Sequence, residues 1–390
     1  MGQRWLTWVV ALLLIASVTT VVVVFLLQGE GPPEYLVAIG ERGREPGKFD
    51  GPAGVAVDSS GNLFVLDTGN GRIQRLDPEG KLIGHWGDPG SDTKKFRNPL
   101  RIQAVPGSEG ILWVADTDNH RLQSFKTTGE FISEVGALGQ APGQFSHPIG
   151  MAFDPAGNLW VCDSGNHRLQ KFGPGVKNVL AILPKEPKQS SAVGEFDRPW
   201  GVACDATGAL YVADTHNHRI QRFQKDGTYI GTFGTQGKGP GEFRFPSAIL
   251  VDRAGNVFVV DSGNNRLQKF DAQGKFLCEW GKAGKLGREF QNPQQIAEGP
   301  DGTLYIADTA NHRIQKYAPR KPMYFSKGED VQIPTKPRAP GPTETPLDLP
   351  EVPSDDPTPG LTAEPEAGST PTSSPTPAAS PTPVAEPTRF

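Results

Sequence analysis

The sequence predicts an all-β, six-bladed β-propeller between a transmembrane helix and an extended tail, and three observations carry that prediction. An eight-residue string recurs six times at nearly constant spacing. The segments between its copies alternate apolar and polar residues and are punctuated by turn residues. After residue 28, no segment shows the 3.6-residue apolar period of an amphipathic helix.

Residues 5–27 (WLTWVVALLLIASVTTVVVVFLL) contain no charge. As a helix they extend roughly 34 Å, enough to cross a hydrocarbon core of about 30 Å. A cleaved signal has a shorter apolar run and a small-residue cleavage site, which Leu26-Leu27-Gln28-Gly29 does not offer. The expectation is a cytoplasmic end at 1–4, an uncleaved anchor at 5–27 and a linker at 28–34. Arg4 precedes the anchor and Glu30 and Glu34 follow it, so the remainder of the chain is expected outside the cytoplasm.

The repeated string begins as DTGNGRIQ at Asp67. It returns as DTDNHRLQ at Asp116, DSGNHRLQ at Asp163, DTHNHRIQ at Asp214, DSGNNRLQ at Asp261 and DTANHRIQ at Asp308, at intervals of 49, 47, 51, 47 and 47 residues. A Phe followed three residues later by Pro keeps register with it: Phe49/Pro52, Phe96/Pro99, Phe145/Pro148, Phe196/Pro199, Phe243/Pro246 and Phe290/Pro293. Each unit reads as four short strands. In the fourth copy these are GVACD, LYVAD, RIQRFQ and YIGTFG, separated by Gly-, Asp- and Asn-containing turns. Units of this length with four strands describe propeller blades. The sixth copy ends at Tyr317 without an outermost strand, while residues 35–40 (YLVAIG) form an unassigned strand ahead of the first copy. If that strand completes the last blade, the ring over 35–318 closes and its sheet edges are covered.

Residues 319–390 hold 18 of the 37 prolines. With little aliphatic content and no period to bury, this tail is expected to be disordered with polyproline-II character. It has 6 Lys/Arg against 10 Asp/Glu, so residues 1–318 are balanced at 33 against 33. Such neutrality opposes a phosphate-backbone partner. Three cysteines exclude a disulfide-stapled scaffold and a four-cysteine zinc site.

The D-[TS]-x-N-[HGN]-R-[IL]-Q turn, with the preceding G-x-F-x-x-P and D-x-x-G-N turns, resembles the NHL-repeat family of six-bladed propellers over residues 35–317. The resemblance implies an interaction platform, as in the outward-facing sensors of bacterial receptor kinases. Enzymes of similar architecture, the peptidyl-hydroxyglycine lyases and lactonase-like propellers, hold a metal at the channel axis, and animal NHL propellers bind RNA.

Residues repeated in every blade are expected to serve the scaffold. These are Asp67 and Arg72, Asp116 and Arg121, Asp163 and Arg168, Asp214 and Arg219, Asp261 and Arg266, and Asp308 and Arg313. The Asp and Asn side chains are expected to bond turn amides, and the Arg a nearby carboxylate. His120, His167, His218 and His312 share one motif position, which distributes them around a ring instead of converging them on a metal. Cys162, Cys204 and Cys278 sit in strand patterns as small core residues. Ligand recognition is expected where equivalent positions disagree. Arg101, Trp200, Gln294 and Gln295 follow the prolines, and Asp118 and His216 vary within the motif turn. Antiparallel succession puts both sets on one face of the ring, here called face X, around the mouth of the channel.

The reading is therefore a membrane-tethered, single-pass, extracytoplasmic binding or scaffold module. It takes a protein, peptide or envelope polymer at the channel mouth, and no cofactor, metal or nucleic acid. The competing reading is a metal-dependent lyase or lactonase-like enzyme, with His147 and His216 as the available ligands.

Overall fold

The computed structural model describes residues 31–107 and 110–318. They form six four-stranded antiparallel sheets, and in five of them the chain order runs outward from a central axis. Blade 1 comprises Gly54–Val57, Leu63–Asp67, Arg72–Leu76 and Leu82–Trp86. Blade 2 comprises Arg101–Ala104, Ile111–Asp116, Arg121–Lys126 and Phe131–Val135. Blade 3 comprises Pro148–Phe153, Leu159–Asp163, Arg168–Phe172 and Val179–Leu183. Blade 4 comprises Pro199–Cys204, Leu210–Asp214, Arg219–Phe223 and Tyr229–Phe233. Blade 5 comprises Pro246–Val251, Val257–Asp261, Arg266–Phe270 and Phe276–Trp280. Blade 6 has Pro293–Glu298, Leu304–Asp308 and Arg313–Ala318, and its outermost strand is Glu34–Ile39 from the other end of the ring.

That closing strand pairs antiparallel with Arg313–Ala318, placing Glu34 opposite Ala318, Tyr35 opposite Tyr317 and Ile39 opposite Ile314. The Tyr35 and Tyr317 rings meet edge to face at 5.5 Å, a favoured aromatic geometry. Closure from the N-terminal side is thus a property of the fold, as the strand arithmetic requires.

Burial explains the run of residue types along each blade. The second strand is sandwiched between two neighbouring blades, so both of its faces are apolar; Leu210–Asp214 is buried at every position. The outermost strand has solvent on its far side and reads half-buried, exposed, half-buried, as in Tyr229–Phe233. Six apolar clusters result, one at each seam. The seam between blades 1 and 2 joins Phe64, Leu66 and Ile73 to Phe96, Ile102 and Phe125. The repeated Phe is the wedge of each seam. Phe49 lies against Gly40, where a β-carbon would fall 2.2 Å from its ring and φ is +86°, so only glycine fits.

Helix is confined, among the described residues, to three-residue 3₁₀ turns. None is long and apolar enough to cross a membrane. The expected anchor at 5–27, the first part of the linker, the cytoplasmic end and the tail at 319–390 lie outside the described residues.

Candidate functional site

Six equivalent clamps build the X face. In blade 1, Asp67 Oδ1 accepts the Asp50 main-chain N–H at 2.7 Å, and its Oδ2 accepts from Arg72 Nε at 2.8 Å. Asn70 and Gln74 donate to the same Oδ2, each at 2.9 Å. Arg72 also donates to the carbonyls of Glu45 and Lys48, and Asn70 to that of Gly43. Each motif turn thereby holds the loop that leads into its own blade. The Asp bonds an amide as expected, although in the lead-in loop and not in its own turn. The Asn donates instead of accepting, and the principal partner of the Arg is the Asp of its own motif.

The motif Gln completes the clamp and was not singled out by sequence. Gln74, Gln123, Gln170, Gln221, Gln268 and Gln315 are all fully buried. Each accepts a lead-in amide, as Gln170 does from Gly143 at 2.9 Å. The available signal was an invariant amide at an inward strand position, where an apolar side chain would otherwise pack.

Two further motif residues bind one blade to the next, the second of them in five of the six blades. The Thr or Ser after the Asp donates to the carbonyl of the next blade's Pro: Thr68 to Pro99, Thr117 to Pro148, Ser164 to Pro199, Thr215 to Pro246, Ser262 to Pro293 and Thr309 to Pro52. The last of these closes the ring. The residue before the Arg adopts a left-handed conformation, with φ of 54° at His120 and 53° at His218, which His and Asn tolerate better than most. From there its ring Nδ1 accepts a main-chain N–H of the next blade. His120 takes that of His147 at 3.1 Å, His167 that of Arg198 at 3.2 Å, His218 that of Phe245 at 3.0 Å and His312 that of Gly51 at 3.0 Å. Asn265 does the same through Oδ1 to Asn292 at 2.7 Å. Burial holds the His120, His167 and His218 rings below the ordinary histidine range, in keeping with a neutral acceptor.

Repetition fails at one layer of the axis. Two residues after each Pro, the six inner strands carry Gly54, Arg101, Gly150, Gly201, Ala248 and Gln295. The small residues let strands touch directly: a β-carbon on Gly150 would lie 2.5 Å from the Trp200 carbonyl oxygen, and one on Gly201 would lie 3.0 Å from Ala248 Cα. Arg101 and Gln295 fill the space that remains. Arg101 of blade 2 crosses the axis and donates to the Ser247 carbonyl of the opposite blade 5. Gln295 Nε2 donates to the Ile102 carbonyl at 2.9 Å, and its Oε1 accepts the Val55 N–H at 3.3 Å.

Beneath this layer lies an axial cavity of about 710 Å³, with Arg101 and Gln295 in its lining. Its walls continue through Gln103, Met151 and Ile249 to Pro106, Arg253 and Pro300, which belong to turns on the opposite face, Y. No residue of an X-face turn contributes to it. Burial pulls the Arg101 guanidinium down to about 10. Glu298, half-buried in the wall, is pushed up by burial and then by the neighbouring Asp252. Cys162, fully buried in the seam between blades 3 and 4, is a core residue as expected.

Of the residues expected to recognise a ligand, the fold brings Arg101 and Gln295 together at the head of the cavity. Trp200, Gln294, Asp118 and His216 are half-buried on the X side and line none of it. Gln294 donates to Asn292 at 2.7 Å, and the His216 ring packs 5.7 Å from Phe245. The concave surface is therefore reached from face Y, and Gln103 belongs to it although sequence gave no reason to choose it.

A family model described as a 6-bladed β-propeller matches residues 201–317, and the NHL repeat model matches 49–76 and 145–172. This chain carries NHL repeats within a six-bladed propeller. Protein brain tumor of Drosophila melanogaster is 36% identical over 74 residues, covering 19% of this chain and 7% of that protein. Protein lin-41 of Caenorhabditis elegans is 49% identical over 43 residues, covering 11% and 4%. Human NHL repeat-containing protein 3 is 46% identical over 48 residues, covering 12% and 14%. The matched segments are thus a small part of each relative's length. Among solved structures, a structural genomics protein of unknown function from Bacteroides thetaiotaomicron superposes with a TM-score of 0.57 at 18% identity, covering 73% of this chain and 76% of its own. Virginiamycin B lyase from Staphylococcus aureus gives 0.50 at 15% identity, covering 72% and 98%. At these identities the likeness is one of fold.

Proposed function

We propose that this propeller is a membrane-tethered, extracytoplasmic binding module whose ligand occupies the axial cavity from face Y. The observation that carries the reading is the axial layer, where four small residues and the pair Arg101 and Gln295 replace the sixfold rule. Clamps and latches recur because every seam needs them. A single crossing guanidinium over a cavity of about 710 Å³ serves no repeated structural need, and concave sites with a few convergent polar groups are where ligands bind.

Tethering rests on the uncharged run at 5–27. Glu34 and Ala318 are paired at the Y end of blade 6, so an anchor joined through the short linker approaches from the Y side. The cavity then faces the membrane, on the side of the ring opposite the face-X mouth anticipated from sequence. Its occupant is a small molecule or an end of a peptide or envelope polymer. Binding is favoured over metal catalysis because the described residues hold no group of three or more His, Cys, Asp or Glu able to share a metal. His147 and His216 also lie outside the cavity lining.

The test uses the full chain beside Leu250→Trp and Val57→Trp, which fill the cavity from half-buried wall positions. Native mass spectrometry after exposure to envelope extract should find a species retained by the parent and lost from both variants. Equal retention by the filled variants would refute the axial site.

A further inference from the structure

The cavity's chemistry allows its ligand class to be named, on the footing that the axial site proposed above is the binding site. Arg101 is 4% exposed, and its hydrogen bond goes to a neutral carbonyl, that of Ser247. A guanidinium carries five N–H donors in a planar fork. Among the described residues no carboxylate is paired with it. The two acidic side chains of the cavity lining are placed elsewhere. Asp58 spends both oxygens on its own turn, accepting from Ser60 N, Asn62 N and Asn62 Nδ2. Glu298 is flanked by Asp252, Arg253 and Asp301 at the Y rim. Removing a cation from water without a counter-charge is strongly unfavourable. A plug needing only length and one hydrogen bond would be served by Gln, as Gln295 shows in the same layer.

The walls below the guanidinium mix polar and apolar surface: Met151, Val202 and Ile249 contribute thioether and aliphatic groups, and Gln103 an amide. A fork at the closed end of such a sleeve suits a carboxylate better than a free phosphate, which demands donors on more sides. We propose that the axial cavity is a receptor for a small monocarboxylate that enters from face Y and is held head-first by the Arg101 guanidinium, with the Gln103 and Gln295 amides beside it.

The experiment is titration calorimetry on the full chain with three probes: 3-phenylpropionate, its uncharged analogue 3-phenylpropanol, and inorganic phosphate. Arg101→Met, which keeps the length of the plug and removes the charge, is titrated alongside Leu250→Trp. The expected result is phenylpropionate binding that is weakened about tenfold or more in Arg101→Met, little binding of the alcohol or phosphate, and a melting temperature of Arg101→Met no lower than the parent's. Equal affinity for acid and alcohol, acid binding unaltered by Arg101→Met, or tighter binding of phosphate would each overturn the carboxylate assignment while leaving the cavity as the site. Binding undiminished by Leu250→Trp would instead overturn the axial site itself. A large loss of melting temperature in Arg101→Met would overturn the argument that the charge awaits a ligand, since it would make Arg101 a structural strut.

Discussion

Replacing His120 and His218 together by Asn should leave the propeller unchanged near neutrality and remove much of its sensitivity to mild acid. Each ring accepts the next blade's main-chain N–H through Nδ1, at 3.1 and 3.0 Å respectively. Protonation turns that acceptor into a donor facing a donor, and the latch is lost. Burial lowers both histidines in the fold, aided at His120 by His147 and at His218 by His216. As pH falls the unfolded chain therefore binds protons first. The stabilisation is complete above about pH 6.5, the ordinary histidine value, and is lost as pH falls through the lower folded values. Two hydrogen bonds at roughly 0.5–1.5 kcal/mol each amount to about 1–3 kcal/mol. For a ring of this size that corresponds to roughly 2–12 °C in melting temperature. Blade 5 supplies the control within the molecule, since Asn265 makes the same bond at 2.7 Å with no titratable group. His167 and His312 are left in place because Asp197 and Asp50 lie 3.4 and 3.3 Å from their Nδ1 atoms, a second contact that Asn would alter. Circular-dichroism melts between about pH 7.5 and 5 measure the effect, above the range where ordinary carboxylates titrate. A double variant whose melting temperature falls as steeply with acid as the parent's would refute the reasoning.

Other substitutions probe the scaffold. Arg168→Ala should cost about 3–5 kcal/mol, because it strands the fully buried Asp163 carboxylate and three lead-in carbonyls; a urea midpoint moved by less than about 1 kcal/mol would show the clamp to be redundant. Ile39→Ala should lose about 2–5 kcal/mol, since Ile39 anchors the closing strand against Phe49 and Ile314, and should expose that strand to limited proteolysis before any other. Gly71→His gives blade 1 the histidine found in four other blades, yet it should destabilise by roughly 1–3 kcal/mol. A β-carbon there falls 2.8 Å from the Pro89 nitrogen, so a higher melting temperature would contradict the packing described for that seam.

The sequence by itself determined the number of blades, the order of strands within each and the origin of the closing strand. Those features follow from local chemistry written six times: a Phe wedge, a Pro, an Asp-to-Arg turn and alternating strands. Repetition also showed that the Asp and Arg pairs belong to the scaffold. Only the tertiary structure decided what the repeated side chains reach. The Thr, Ser and His latches join one blade to the next, and their partners lie far along the chain; His312 bonds an amide 261 residues away. The invariant Gln was visible as a letter, but its role depended on a loop that folds back over it. The site was half legible. Variation between copies marked Arg101 and Gln295, yet it marked Trp200, Gln294, Asp118 and His216 equally. What separates them is where the ring leaves space. Arg101 meets Ser247 across the axis, 146 residues away, because small residues bring the other inner strands together, and whether a side chain points into a shared void is fixed by the closed circle and by no single repeat.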